Sequence, residues 1–447
     1  MRSSEYRASE YRGLAFNRRQ LLGGGAAALG MLSMPMALRA QGAASAHPDW
    51  PGVSRFISGF VDSGQVANMV ATLGYGEAEA AVLARGTTSF TSSTSADADT
   101  LYRIYSMTKP VTGMATVICI DDGLISLDQP IAEILPAFAK MQVQREYDGA
   151  ITPGNLEPAV RPITIRHCLT HTAGLGYSIV QQGPISTAYA EAGLVPGQVT
   201  RLDVPGALNG KPVNSLELFA DRLATMPLVY QPGTKWSYSV GLDLLGRVIE
   251  VVTGKSFDAF LKERIFDPVG MSSTWFRVPH EEAHRLTANY FLADGTLLPV
   301  DLPDSSIYLD EPPFPFGGAG LVSSSRDYDR FLQMIANYGE IDGVRVMSEP
   351  AVRLATSDLF ADTVPYEGRF QFGERPLGYG AGGLVGSGDA AGLFGWFGAA
   401  GTCGLVNMRR SLRHNLMTQY MPSTAYPVQN EFPVVVEVDA LAQDARG

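Results

Sequence analysis

Cysteine is scarce in this chain. Among 447 residues there are three, Cys119, Cys168 and Cys403. Their spacings match no metal-binding or redox motif, and an odd number argues against a disulfide framework. Each is expected to be a small buried hydrophobe. Basic runs are absent beyond the first 40 residues, and the formal net charge is −11. A surface of that sign disfavours nucleic acid and gives no reason to expect an anionic membrane as partner. The motif G-x-S-x-G occurs nowhere, which removes the usual α/β-hydrolase nucleophile elbow. Internal repeats and long low-complexity tracts are missing as well.

What is present is ordinary for a folded enzyme: 45% hydrophobic and 18% charged residues. The length suits two or three domains, or one large two-lobed enzyme. Residues 1–46 stand apart. Arg18 and Arg19 precede a mildly apolar, Gly/Ala-rich run, and "ASA" follows at 44–46. That order is similar to a twin-arginine export signal with a small-residue cleavage site. The three consecutive glycines at 23–25 and Pro35 weaken the alternative, a membrane-anchoring helix. Export to the periplasm is therefore expected, with no stable membrane association after cleavage. Proteins exported this way fold before crossing, which agrees with the few cysteines.

Along the remaining chain, 47–60 reads as the entry to an amphipathic helix and 80–93 as strand and turn. Apolar residues recur at helical spacing at Met107, Val111, Met114, Ala115 and Ile118, with Gly123 in a C-cap position. Residues 162–176 read as a helix ended by glycine, 177–215 as a long loop, and 239–254 and 257–271 as two further helices. After the helix in 317–339 come glycine-rich alternating segments, "LGYGAGGLVG", "GTCGLVNM" and "HNLMTQYM", expected as short antiparallel strands. This order suits an α+β domain with a helical insertion.

Three motifs mislead. "HEEAH" (280–284) matches the H-E-x-x-H zinc pattern, but Thr287 and Tyr290 stand where the extended metzincin pattern requires glycine and histidine. A solvated charged face is expected there, and no metal. "GYGAGG" (378–383) matches G-x-G-x-x-G, yet no helix follows to receive a pyrophosphate. "GKS" (254–256) lacks the upstream glycine of a phosphate-binding loop.

The remaining constellation begins in "RIYSMTKPVTG" (103–113). Ser106 and Lys109 are three residues apart, so a helix puts them on one face. Serine needs a neighbouring base to act as a nucleophile. Lysine, with an ordinary pKa of about 10.4, serves only if burial or nearby cations depress it. A helix start also favours developing negative charge, and Pro110 is tolerated in a first turn.

S-x-x-K alone is common. Here it is followed in order by "DDGLISLDQPIAEILP" (121–136), "PITIRHCLTHTAGL" (162–175), "PLVYQPGTKWSYSVGLDLLGRVIE" (227–250), "IFDPVGMSSTWF" (265–276), "GGAGLVSSSRDYDRFLQM" (317–334) and "GWFGAAGT" (395–402). Together these resemble the serine β-lactamase and penicillin-binding-protein-like family, most of all its class C branch and the family VIII carboxylesterases. The resemblance implies a β-lactamase/transpeptidase-like fold: an antiparallel sheet flanked by helices, with a helical second lobe and the active site between them. It implies one hydrolase domain over 47–447, with an α/β lobe at about 47–115 and 317–447 and a helical lobe at about 116–316.

It also implies roles. Ser106 would be the nucleophile, Lys109 its base, and Tyr238 the tyrosine of the second motif. The oxyanion hole would use the backbone N–H groups of Ser106 and Ala399, each typically worth about 3 kcal/mol in the transition state. Trp396, Phe397 and Gly398 take the place of the Lys-Thr-Gly strand, and Val240 that of the second motif's asparagine. His171 in "LTHTAGL" would be a structural, satisfied histidine.

The family uses the missing asparagine and lysine to hold a β-lactam's acylamino and carboxylate groups. Their loss weakens a lactamase and spares acyl transfer, while Trp396 would offer an apolar wall to an acyl or aryl group. The expectation is an exported serine hydrolase that cleaves carboxylic esters through a Ser106 acyl-enzyme, with Lys109 and Tyr238 as its proton shuttle, a small-molecule ester or amide as substrate, and no cofactor. A β-lactamase or D,D-peptidase, an acyltransferase, and a silent binding protein are the rivals. Oligomeric state is left open.

Overall fold

The computed structural model describes residues 49–202, 211–372 and 375–445. The expected signal segment therefore lies outside the described residues, apart from any consequence for export.

The frame is a seven-stranded antiparallel sheet. Its strands are β1 (Asn68–Tyr75), β2 (Ala81–Gly86), β3 (Gly378–Tyr379), β4 (Leu384–Val385), β5 (Leu393–Phe397), β6 (Cys403–Asn407) and β7 (Leu412–Met417), in the order β3-β4-β5-β6-β7-β1-β2. The glycine-rich stretch around 378–385 is thus a hairpin. Strand β1 closes the sheet by pairing with both β2 and β7. It is buried on both faces, as is usual for a strand covered by helices on either side.

Helix α1 (Pro51–Asp62) and the C-terminal helix (Val428–Asp444) pack together. Asp439 accepts the Gly52 and Val53 N–H groups at 3.1 and 2.9 Å, so one helix caps the other's orphan donors. Phe432 joins Phe56 and His414 in the same apolar layer. The helix Ser325–Ala336 packs on β1, β6 and β7, with the Ser324 hydroxyl capping it at Asp327 N.

Between sheet and helical region runs α2 (Thr108–Asp121), buried from Thr108 through Cys119. All five apolar positions expected on one face are buried, but so is every other residue from Thr108 to Cys119. Its threonine hydroxyls find carbonyl partners: Thr112 donates across to Gly317 O at 2.7 Å and Thr116 within the helix to Thr112 O at 2.9 Å. Gly113 has no room for a side chain, since a methyl group there would lie 2.0 Å from Ala381 O. Helix α3 (Gly241–Thr253) packs against α2 and ends at Gly254 with φ 69°.

Several expectations change. The helix in 162–176 is only Ile165–Leu169, because Thr170 leaves helical geometry and His171 takes φ 55°. The stretch 177–215 contains the helix Pro184–Glu191. Residues 257–271 form a short α-helix, a π turn over Lys262–Phe266 and a final turn to Gly270. Tyr420–Met421 pairs parallel, not antiparallel, with Tyr290–Phe291. The three cysteines are free and buried, and burial pushes the Cys119 thiol up to about 12.

Candidate active site

Ser106 sits in the 3-10 turn Tyr105–Met107 that leads directly into α2. From Leu101 to Cys119 it is the one residue that is not buried. Tyr105, just before it, adopts φ 43°. A bulky residue in that region stores strain, and such strain concentrates at functional positions. The conformation is held from the side chain, where Asn289 Nδ2 donates to the Tyr105 hydroxyl at 3.0 Å.

Lys109 is fully buried one turn later. Its Nζ donates to Ser106 Oγ at 3.2 Å and to Gly318 O at 2.6 Å. It also lies 4.5 Å from the centre of the Tyr238 ring. Burial pulls the amine well below the ordinary lysine range, towards the neutral form a base requires. Asp243, in the first turn of α3, opposes this with its charge. Its own carboxyl is pushed up by burial and pulled back by Lys109. Asp243 Oδ1 accepts the Gly318 N–H at 2.9 Å. Gly318 therefore bridges the acid and the amine through its two backbone groups.

Tyr238 precedes α3 and is the one residue not buried between Ser237 and Gly246. The Trp396 indole N–H donates to its hydroxyl at 3.0 Å. Burial raises the phenol's pKa, and hydrogen bonds from Ser106 and Trp396 lower it. The phenol remains protonated at neutral pH. Around it stand His171, Tyr177, Trp236 and Trp396, with ring centres 4.8 to 6.0 Å away.

Strand β5 carries Trp396 and Phe397 and runs into a turn at Gly398–Gly401. Ala399 is the one residue not buried from Phe394 to Val406. A methyl group on Gly398 would lie 2.5 Å from Ile104 O, so this turn presses on the chain two residues ahead of Ser106. Three otherwise buried segments thus each release one residue to solvent, at Ser106, Tyr238 and Ala399. The Ser106 N–H, at the head of the turn entering α2, belongs to the donors that helix geometry leaves without an i−4 acceptor.

Two expected pocket residues look different in place. Val240 is fully buried as the N-cap of α3. Trp396 is 4% exposed and its indole packs on Tyr379 and Phe370 at 5.3 and 5.4 Å. It offers little open wall; its clearest polar contact holds Tyr238. His171 is only half satisfied: Nδ1 meets Ser239 Oγ at 2.9 Å, while Nε2 has no hydrogen-bond partner among the described residues. Burial drives its pKa well down, so it stays neutral.

The "HEEAH" segment is a 3-10 helix, His280–Arg285, with both histidines exposed. At three residues per turn, positions i and i+4 fall a third of a turn apart, not on one face. Asp243 was the functional candidate the sequence reading missed, although one acid inside the apolar run "GLDLLG" was a usable signal.

Asn at 243 would still accept the Gly318 N–H but would remove the negative charge that holds the Lys109 pKa up. The ammonium form would lose its counter-charge, so the amine would become neutral at lower pH. The acidic limb of kcat/KM is therefore expected to move down in pH in Asp243→Asn. An unmoved limb, measured on one ester from pH 5 to 9, would remove Asp243 from the proton balance.

A model of the family described as Beta-lactamase matches residues 53–434. Protein Rv1367c of Mycobacterium tuberculosis is 33% identical over 323 residues, covering 68% of this chain and 73% of that one. The lovastatin esterase of Penicillium rubens is 30% identical over 314 residues, 66% of this chain and 72% of that protein. Among solved structures, EstCE1, described as a hydrolase with promiscuous acyltransferase activity, superposes with a TM-score of 0.68 at 21% identity, covering 87% of this chain and 97% of its own.

Proposed function

The chain belongs to the β-lactamase family, and from that premise we propose that it hydrolyses small carboxylic esters through an acyl-enzyme on Ser106. The carrying observation is the 3.2 Å hydrogen bond between Lys109 Nζ and Ser106 Oγ, at the one solvent-reaching point of a buried segment. Its esterase relatives support the substrate class.

In acylation, Ser106 Oγ attacks the ester carbonyl as its proton passes to neutral Lys109. The oxyanion is met by the N–H groups of Ser106 and Ala399. The Tyr238 phenol gives its proton to the departing alkoxide and is reprotonated from the Lys109 ammonium, so alcohol leaves and the acyl group stays on Ser106. In deacylation the same pair takes a proton from water, which attacks the acyl carbon. Carboxylic acid departs and Ser106 regains its proton. Coupled groups of this kind titrate as a pair. An alcohol in place of water would yield a new ester, the acyltransferase outcome. Incubation with a short p-nitrophenyl ester and intact-mass analysis tests the scheme: an acyl increment on Ser106 is expected, and turnover without one would overturn it.

Export by the twin-arginine route is part of the same reading, supported by Arg18, Arg19 and the "ASA" at 44–46. Arg18→Lys with Arg19→Lys is expected to leave uncleaved precursor in the cytoplasm, since a receptor reads the arginine pair. Normal accumulation of mature protein in the periplasm, by immunoblot of fractions, would sink that route.

A further inference from the structure

We propose that Gln429 is a positioning residue of the oxyanion hole: from the first turn of the C-terminal helix, its side-chain amide fixes and polarises the Gly398–Ala399 peptide. The inference rests on the reading of Ala399 N–H as an oxyanion donor.

Gln429 Nε2 donates to Gly398 O at 2.6 Å and to Thr402 O at 2.9 Å, one bond for each of its two hydrogens. The carbonyl of Gly398 and the N–H of Ala399 are opposite ends of one planar peptide unit. A donor locked onto the oxygen therefore fixes the direction in which the N–H points. It also draws electron density towards the oxygen, and so strengthens the N–H as a donor.

Other contacts hold the turn as well, and one of them, the Gly401 N–H, shares the Gly398 oxygen with Gln429 through a longer bond. Gly398 N–H bonds Thr402 O at 2.9 Å and Gly401 N–H bonds Gly398 O at 3.2 Å. Gly401, at φ 87°, lies against the Tyr420 ring, where a methyl group would come within 2.2 Å. Gly398 lies against Ile104 O. Gln429 is itself preorganised, because Phe432 and Asp439 tie its helix to α1. An oxyanion donor is useful only when its direction is set before reaction.

A simpler role would be to staple the helix to the turn, with no bearing on chemistry. Two substitutions in the mature protein separate these. Gln429→Met keeps length and removes the donor. Gln429→Glu presents a carboxylate to two carbonyl oxygens at neutral pH and becomes a donor only when protonated.

Losing a whole oxyanion donor costs roughly 10²–10³ in rate, so losing its support is expected to lower acylation and kcat/KM by roughly tenfold. For Gln429→Met, the burst-phase acylation rate should fall about that far, with substrate KM changed less than about threefold. Affinity for a boronate transition-state analogue should fall in parallel. For Gln429→Glu, activity relative to wild type at the same pH should rise as pH falls.

A purely structural role would instead lower the melting temperature while leaving acylation rate, boronate affinity and the pH ratio at wild-type values. That result overturns the proposal. If Gln429→Met fails to fold, the pH ratio of Gln429→Glu decides alone: a flat ratio overturns it. The outcome stays distinct from failure of the parent reading. A wild-type protein that forms no Ser106 adduct would sink both, whereas normal wild-type acylation matched by both variants would sink only the role of Gln429.

Discussion

Ser106→Ala is expected to abolish ester turnover and leave no mass increment after incubation with an ester or a fluorophosphonate. Loss of the nucleophile from a serine hydrolase typically costs on the order of 10⁶ in kcat. The loss should be close to complete because no other residue from Leu101 to Cys119 reaches solvent, and the neighbouring Tyr238 phenol is held protonated by its raised pKa. The fold should survive, since Ser106 is partly exposed and its hydroxyl bonds only within the site, to the Lys109 amine and the Tyr238 phenol. Lys109→Ala should retain the hydroxyl but lose its base, costing roughly 10²–10⁴. It also leaves Asp243 buried without its cation, so Lys109→Met with Asp243→Asn is the cleaner probe. Rates near wild type in Ser106→Ala, with the melting temperature unchanged, would end the acyl-enzyme scheme.

Within the proposed catalytic triplet one spacing is local: Ser106 and Lys109 lie one helical turn apart. Tyr238 is 129 residues further on, and only the likeness of "YSV" to the family's second motif pointed to it. What escaped depends on distance in sequence or on buried polarity. Gln429 reaches Gly398 across 31 residues, and no local pattern marks such a contact. Strand β1 shows no alternation because both faces are covered. The C-terminal helix hides behind Pro433 and the β-branched run Val434–Val436, which disfavour helix by local propensity. Packing on α1 and the sheet outweighs that preference. The helix in 162–176 was overextended for the opposite reason: its periodicity continues past Leu169, while the left-handed backbone at His171 breaks it.

Short-chain p-nitrophenyl esters are expected to be turned over far better than any cephalosporin. A charge-assisted hydrogen bond contributes roughly 1.5–3 kcal/mol and a neutral one about 1. A β-lactam lacking both the lysine and the asparagine contact thus loses about 2.5–4 kcal/mol, or roughly 10²–10³ in kcat/KM. A small ester carries neither group and loses nothing. From the sequence, Trp396→Lys with Val240→Asn would shift the ratio towards the lactam. The structure predicts otherwise. Trp396 holds the Tyr238 hydroxyl by its indole N–H, so lysine there unfastens the proton shuttle as it adds a cation. Val240 is fully buried, and an asparagine amide at that site costs roughly 1–3 kcal/mol unless it finds partners. The double variant should therefore lose tenfold or more of its ester activity, with no compensating gain on cephalosporin. Trp396→Phe, which removes the N–H and nearly keeps the packing, should show most of the ester loss alone. If the wild-type protein cleaves a chromogenic cephalosporin as fast as a short ester, the esterase reading gives way to a lactamase. If the double variant instead becomes a competent lactamase, the hydrogen bond between Trp396 and Tyr238 is not what positions the phenol.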